Sequence, residues 1–115
     1  MASRIRELGI NVTVVGPSGF RTGFLTKDSL VSTETRIADY QTVAQTQARY
    51  AAMSGKQDGD PEKAAALFIQ LAENPAPPLH LWLGANALDR VGQKIESMSE
   101  ELKKWKDLSV SADFK

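Results

Sequence analysis

The sequence predicts an α/β fold: two parallel strands and three to four helices in one domain spanning residues 1–115. Three observations carry that reading. Two short apolar runs, Ile10–Val15 and Leu79–Leu83, are each stopped by a glycine. Between them lie segments whose apolar residues recur at three and four positions, the spacing of a helix face. A chain of 115 residues has room for one such unit. Two apolar strands separated by helices imply a right-handed parallel crossover.

Residues 2–8 suit one or two helical turns, ended by Gly9 where helices commonly stop. In Ile10-Asn11-Val12-Thr13-Val14-Val15, five of six residues are β-branched, which fits a largely buried strand of a parallel sheet. Gly16-Pro17-Ser18-Gly19 is expected to break that strand, because proline offers no ladder donor and glycine permits positive φ. From Phe20 to Arg36 the pattern is irregular and rich in Ser and Thr, predicting a long surface loop with one short helical turn. Ile37, Tyr40, Ala44, Ala48 and Ala51 then mark one face of a helix of about five turns that Gly55 closes.

Asp60-Pro61-Glu62 is the strongest local signal in the chain. Asp caps a helix N-terminus, Pro suits the first helical position, and Glu complements the dipole. The helix it starts carries Ala65, Leu67, Phe68, Leu71 and Ala72 and ends at Asn74-Pro75. Pro75, Pro77 and Pro78 form a stiff connector into the second strand, Leu79-His80-Leu81-Trp82-Leu83, stopped by Gly84. The last helix places Leu88, Val91, Ile95, Met98, Leu102 and Trp105 on one stripe opposite a mixed-charge face. That stripe predicts packing on a sheet, its own or a partner's, and Trp82 and Trp105 are expected in apolar contacts.

Composition excludes several chemistries. Fourteen Lys and Arg balance fourteen Asp and Glu, so the excess positive charge that phosphate-backbone binding needs is absent and no nucleic-acid partner is expected. The chain has no cysteine and one histidine, His80, which rules out disulfides, thiolate metal sites, cysteine nucleophiles and multi-histidine metal centres. The start shows no signal-peptide core and no run approaches the ~20 apolar residues of a membrane span, so a cytoplasmic protein off the membrane is expected.

Few residues remain for a site. Gly16, Gly19 and Gly23 follow a strand, as phosphate-cradling glycines do. Their spacing of three and four departs from the dinucleotide fingerprint, and no helix follows directly; a strand-ending turn is the simpler reading. His80 lies inside a strand among apolar residues, where a packed histidine is commoner than a catalytic base. Glu100 and Glu101 sit on the charged helical face as solubilising groups. No catalytic residue and no metal ligand set emerges.

Ile10-Asn11-Val12-Thr13-Val14-Val15-Gly16-Pro17-Ser18-Gly19-Phe20-Arg21-Thr22 resembles the sixth strand and following loop of the short-chain dehydrogenase/reductase family, where V-T-V-V runs into E-P-G-G-F-x-T. Ile37-Ala38-Asp39-Tyr40, Gly55 through Ala65, Leu81-Trp82-Leu83-Gly84 and Glu101-Leu102-Lys103-Lys104-Trp105 follow in the family's order. The resemblance implies a partial domain, the C-terminal fragment of a Rossmann-like parallel sheet. It also implies an NAD- or NADP-dependent oxidoreductase of small alcohols and carbonyls. By match, Pro17 and Ser18 shape the turn beside the nicotinamide, the backbone near Phe20 meets the carboxamide, and Thr22 hydrogen-bonds the carboxamide or a phosphate. Residues 24–52 would be the substrate lid.

Two departures stand out. Gly16 replaces a common Glu, and Ser18 replaces a Gly; if that position needs positive φ, serine costs on the order of 1 kcal/mol. The family's Gly-rich first turn and its Tyr-x-x-x-Lys have no counterpart: Tyr40 is followed four residues later by Ala44, and Tyr50 by Ser54. The expectation is a truncated product, a split gene model or a degenerate paralogue, inactive alone. The alternative expectation is a non-enzymatic interaction module. It would associate with itself or a full-length relative through an open sheet edge and the last apolar helix.

Overall fold

A computed structural model describes residues 2–32 and 37–114 of the chain. The chain runs through α1 (Ala2–Glu7), β1 (Val14–Pro17), a 3₁₀ turn (Gly23–Leu25), α2 (Gln41–Met53), α3 (Pro61–Glu73), β2 (His80–Leu83) and α4 (Ala85–Val110). The two strands pair in parallel, Val14 opposite His80 and Pro17 opposite Leu83, as the crossover reading required.

The first strand is shorter and later than expected, Val14–Pro17 instead of Ile10–Val15. Its partner sets the start. Thr13 Oγ1 donates to the Pro78 carbonyl at 2.6 Å and Val14 N to the Leu79 carbonyl at 2.7 Å. Upstream of these the facing chain is the proline connector, which offers few donors, and Ile10 and Val12 stay exposed. The strand also runs through Gly16 and Pro17, which were expected to end it. Val14 and Ser18 both donate toward β2, Ser18 N meeting the Leu83 carbonyl at 2.8 Å. Alternation puts the missing Pro17 N–H on the opposite edge, where it costs no ladder bond.

The helices follow their local signals. Gly9 (φ +77) ends α1 and Gly55 (φ +76) follows α2. Asp60 caps α3 by accepting from Glu62 N at 2.9 Å and Lys63 N at 3.4 Å. Asn74 closes α3, its Oδ1 accepting from Ala76 N at 2.9 Å. The second helix starts at Gln41, so Ile37 and Tyr40 precede it, both exposed. The loop expected over Phe20–Arg36 contains the single short turn foreseen, and its residues 33–36 lie outside the described residues.

Packing departs most from expectation. Among the described residues the buried apolar side chains are Ala64, Leu83 and Ala87. On α4 the stripe is open: Val91 is half-buried, while Leu88, Ile95, Met98, Leu102 and Trp105 are exposed, Leu102 at 73%. The sheet has two strands, and among the described residues the α4 stripe beyond Val91 is left uncovered. Trp82 and Trp105, expected in apolar contacts, are likewise exposed. The surface totals 10262 Å², against roughly 6,200 Å² for a compact monomer of this mass. The radius of gyration is 20.3 Å, against roughly 13 Å for a compact domain of this length. No helix of the described residues is long and apolar enough to cross a membrane.

Candidate functional site

The turn after β1 is held from two sides. Ser18 N continues the ladder to β2. One residue on, the chain leaves the sheet and pairs with the loop before α3: Phe20 bridges Gly59 in parallel. Arg21 N donates to the Gly59 carbonyl at 2.8 Å and Gly59 N to the Gly19 carbonyl at 3.0 Å. Arg21 Nε reaches the Gln57 carbonyl at 3.0 Å. Gly59 has to be glycine for this, since a Cβ there would lie 2.6 Å from the Phe20 ring and 2.7 Å from the Gly19 carbonyl.

Ser18 needs no positive φ: among the described residues none but glycine has one. The strain foreseen at Ser18 falls instead on Gly84, at φ +96 and ψ 146 across the ladder.

Pro17, Ser18, Phe20 and Thr22, the four residues singled out by resemblance, line one cavity of about 630 Å³. Its other walls are mainly apolar, among them Phe24, Met53, Phe68 and Leu83, with Arg90 of α4 at the rim. Thr22 Oγ1 accepts from Phe24 N at 3.3 Å, which starts the 3₁₀ turn and leaves the hydroxyl proton to donate elsewhere. Gln57 lines the same cavity, is 4% exposed, and its buried Oε1 has no hydrogen-bond partner among the described residues. A buried acceptor left unpaired costs about 1–3 kcal/mol, so this oxygen is suited to a ligand donor.

The sequence reading missed Gln57, Gly59 and Arg90. Gln57 and Gly59 lie in a polar loop with no periodicity, and only the Asp60 cap beside them marks the place. The glycine trio does not act as one: Gly16 lies in β1 under Trp82, Gly19 faces Gln57, and Gly23 starts the 3₁₀ turn. His80 stacks on Trp82, ring centroids 6.2 Å apart, on an exposed sheet face. No group of three or more His, Cys, Asp or Glu side chains among the described residues could hold a metal ion.

No family model matches the chain. Oxidoreductase BOA17 of Botryotinia fuckeliana (strain B05.10) is 29% identical over 113 residues, 97% of this chain and 40% of that protein. The crystal structure of a short-chain dehydrogenase from Streptomyces avermitilis superposes with a TM-score of 0.77 at 34% identity, over 98% of this chain and 40% of that one. The likeness is to part of a short-chain dehydrogenase. The resemblance read from the residues, to the C-terminal part of that family, is borne out, as is the α/β fold with two parallel strands and four helices. The chain spans about 40% of the length of both relatives.

Proposed function

We propose that this chain forms the nicotinamide-side wall of a cytoplasmic NAD- or NADP-dependent oxidoreductase acting on small alcohols and carbonyls. The observation that carries the reading is the convergence of Pro17, Ser18, Phe20 and Thr22 on one cavity that also holds the unpaired Gln57 oxygen. A nicotinamide ring with its carboxamide suits that wall. The apolar side chains would take the ring, while Thr22 Oγ1 could donate and Gln57 Oε1 accept toward the amide. The bound cofactor supplies the hydride. The chain's own residues bind and orient that end and screen it from water. They hold no proton donor for the reacting oxygen, because neither Tyr40 nor Tyr50 has a lysine one turn further on. The adenosine and pyrophosphate ends have no glycine-rich turn to meet them. On this reading the chain works only joined to a segment carrying those motifs and is inactive alone.

The exposed α4 stripe and the open edge of β1 support a companion reading, in which these surfaces are where such a segment, or a second copy of the chain, docks. The test is calorimetry and NADH oxidation with the 115-residue chain. The same measurements are made on a fusion to an upstream short-chain dehydrogenase segment bearing the glycine-rich turn and Tyr-x-x-x-Lys. The chain alone should show no turnover and no micromolar affinity. The fusion should gain both, and Thr22→Ala should weaken its cofactor use. NADH oxidation by the chain alone, abolished by Tyr40→Phe or Tyr50→Phe, would overturn the reading.

A further inference from the structure

Beside the first cavity, and sharing the Pro17–Gly19 wall with it, lies a second cleft of about 700 Å³ between α2 and α4. Helical spacing builds both walls. Arg49, Tyr50 and Met53 come from one face of α2, and Asn86, Ala87, Arg90 and Val91 from one face of α4, with Trp82 of β2 between them. We propose that this cleft binds a small organic anion with an apolar body, its charge held by Arg49 and Arg90 and its body laid against Trp82 and Tyr50.

Charge placement supports this first. The whole chain has a formal net charge of zero, yet the cleft is lined by two arginines and by no Asp or Glu. The local excess is therefore positional, and a concave site concentrates such a field. Guanidinium groups pair with carboxylate or phosphate oxygens through parallel N–H donors, a geometry a lone ammonium cannot match. The second support is the aromatic lining. Trp82 lies directly over Gly16, where a Cβ would come within 2.2 Å of its ring, and the residue is still 38% exposed. An indole held between the Gly16 backbone and the His80 ring, and still partly exposed, is an apolar surface in a cleft lined by two cations. Inorganic phosphate alone would leave that platform and most of the volume unused, so the ligand has an apolar body as well as a charge. The cleft shares Pro17, Ser18, Gly19, Tyr50, Met53 and Arg90 with the first cavity but not Phe20, Thr22 or Gln57, and the test contains no cofactor, so its outcome is separable from that of the nicotinamide reading.

The experiment is an NMR titration of the 115-residue chain at low ionic strength with cyclohexanecarboxylate and its neutral isostere cyclohexanecarboxamide. The carboxylate should move the Trp82 indole N–H signal and leave that of Trp105, about four turns beyond Arg90 on α4, in place. It should bind roughly ten-fold more tightly than the carboxamide, the scale of a charge-assisted pair. Arg49→Gln and Arg90→Gln should each remove most of that preference. The wild-type comparison of the two ligands needs no variant, so a misfolded mutant does not obscure it. Equal affinity for both ligands, no shift at Trp82, or equal shifts at Trp82 and Trp105 would overturn the proposal.

Discussion

Gly84→Ala tests how the turn is held, because two separate costs meet there. Gly84 sits at φ +96 and ψ 146, close to a region that glycine alone populates freely. A side chain forced there costs roughly 1–3 kcal/mol. The second cost is contact: a Cβ on Gly84 would lie 2.1 Å from Ser18 Oγ and 3.2 Å from Ser18 Cβ. Rotating the hydroxyl away relieves the first of these distances, but the Cβ contact stays tight and adds about 1 kcal/mol of overpacking. Gly84→Ala should therefore destabilise by roughly 3 kcal/mol, summing backbone strain and contact. In a Ser18→Gly background the contact vanishes and about 2 kcal/mol should remain as backbone strain. Urea unfolding followed by far-ultraviolet circular dichroism measures both variants as a double-mutant cycle. A Gly84→Ala protein within about 0.5 kcal/mol of wild type would refute the reasoning, since ordinary surface substitutions fall in that range.

Asp60→Ala removes the side chain that accepts from Glu62 N and Lys63 N. It should cost about 1 kcal/mol and reduce helicity at low denaturant, both visible in the same unfolding experiment. Leu102→Asp should leave the melting of the isolated chain within about 0.5 kcal/mol of wild type, because Leu102 has nothing to lose there. If the α4 stripe docks on further protein, the same substitution should abolish that association in sedimentation analysis, a charge being driven into an apolar contact.

The sequence was most informative where structure is local. The Asp60-Pro61-Glu62 start and the Gly9, Gly55 and Gly84 stops are decided within a few residues, and each is found where the pattern put it; the short turn expected somewhere in Phe20–Arg36 falls at Gly23–Leu25. It was least informative where a neighbour decides. Ile10–Val12 read as a strand on propensity, yet a strand needs a partner, and the facing chain is proline up to Pro78. Pro17 read as a breaker, but which edge its missing donor faces is a property of the sheet register. The stripe of α4 read as buried because periodicity records which residues share a face, not whether anything covers that face. At the candidate site the motif located Pro17, Ser18, Phe20 and Thr22. Gln57, Gly59 and Arg90 reach them from elements 35 or more residues further along, by contacts no local pattern encodes.

The two kinds of information separate the site from its support. The turn from Ser18 to Thr22 is fastened by hydrogen bonds to distant parts of the chain: to the Leu83 carbonyl, to both polar groups of the Gly59 backbone, and to the Gln57 carbonyl. These need only β2 and the loop before α3, so the cavity wall is shaped although the chain buries few apolar side chains. A hydrogen bond contributes about 1 kcal/mol net, and such a set can fix a loop without stabilising a domain. Domain stability has to come from burial, at about 25 cal/mol per Å² of apolar surface. The surface available for that burial is the outer edge of β1 and the α4 stripe, of which Ile95, Met98, Leu102 and Trp105 are not among the residues lining the cavity. Covering it would stabilise the fold without altering the cavity wall. On the proposed reading cofactor binding and assembly thus rest on different residues, so Thr22→Ala and Leu102→Asp should fail in different assays, the first in cofactor use and the second in association.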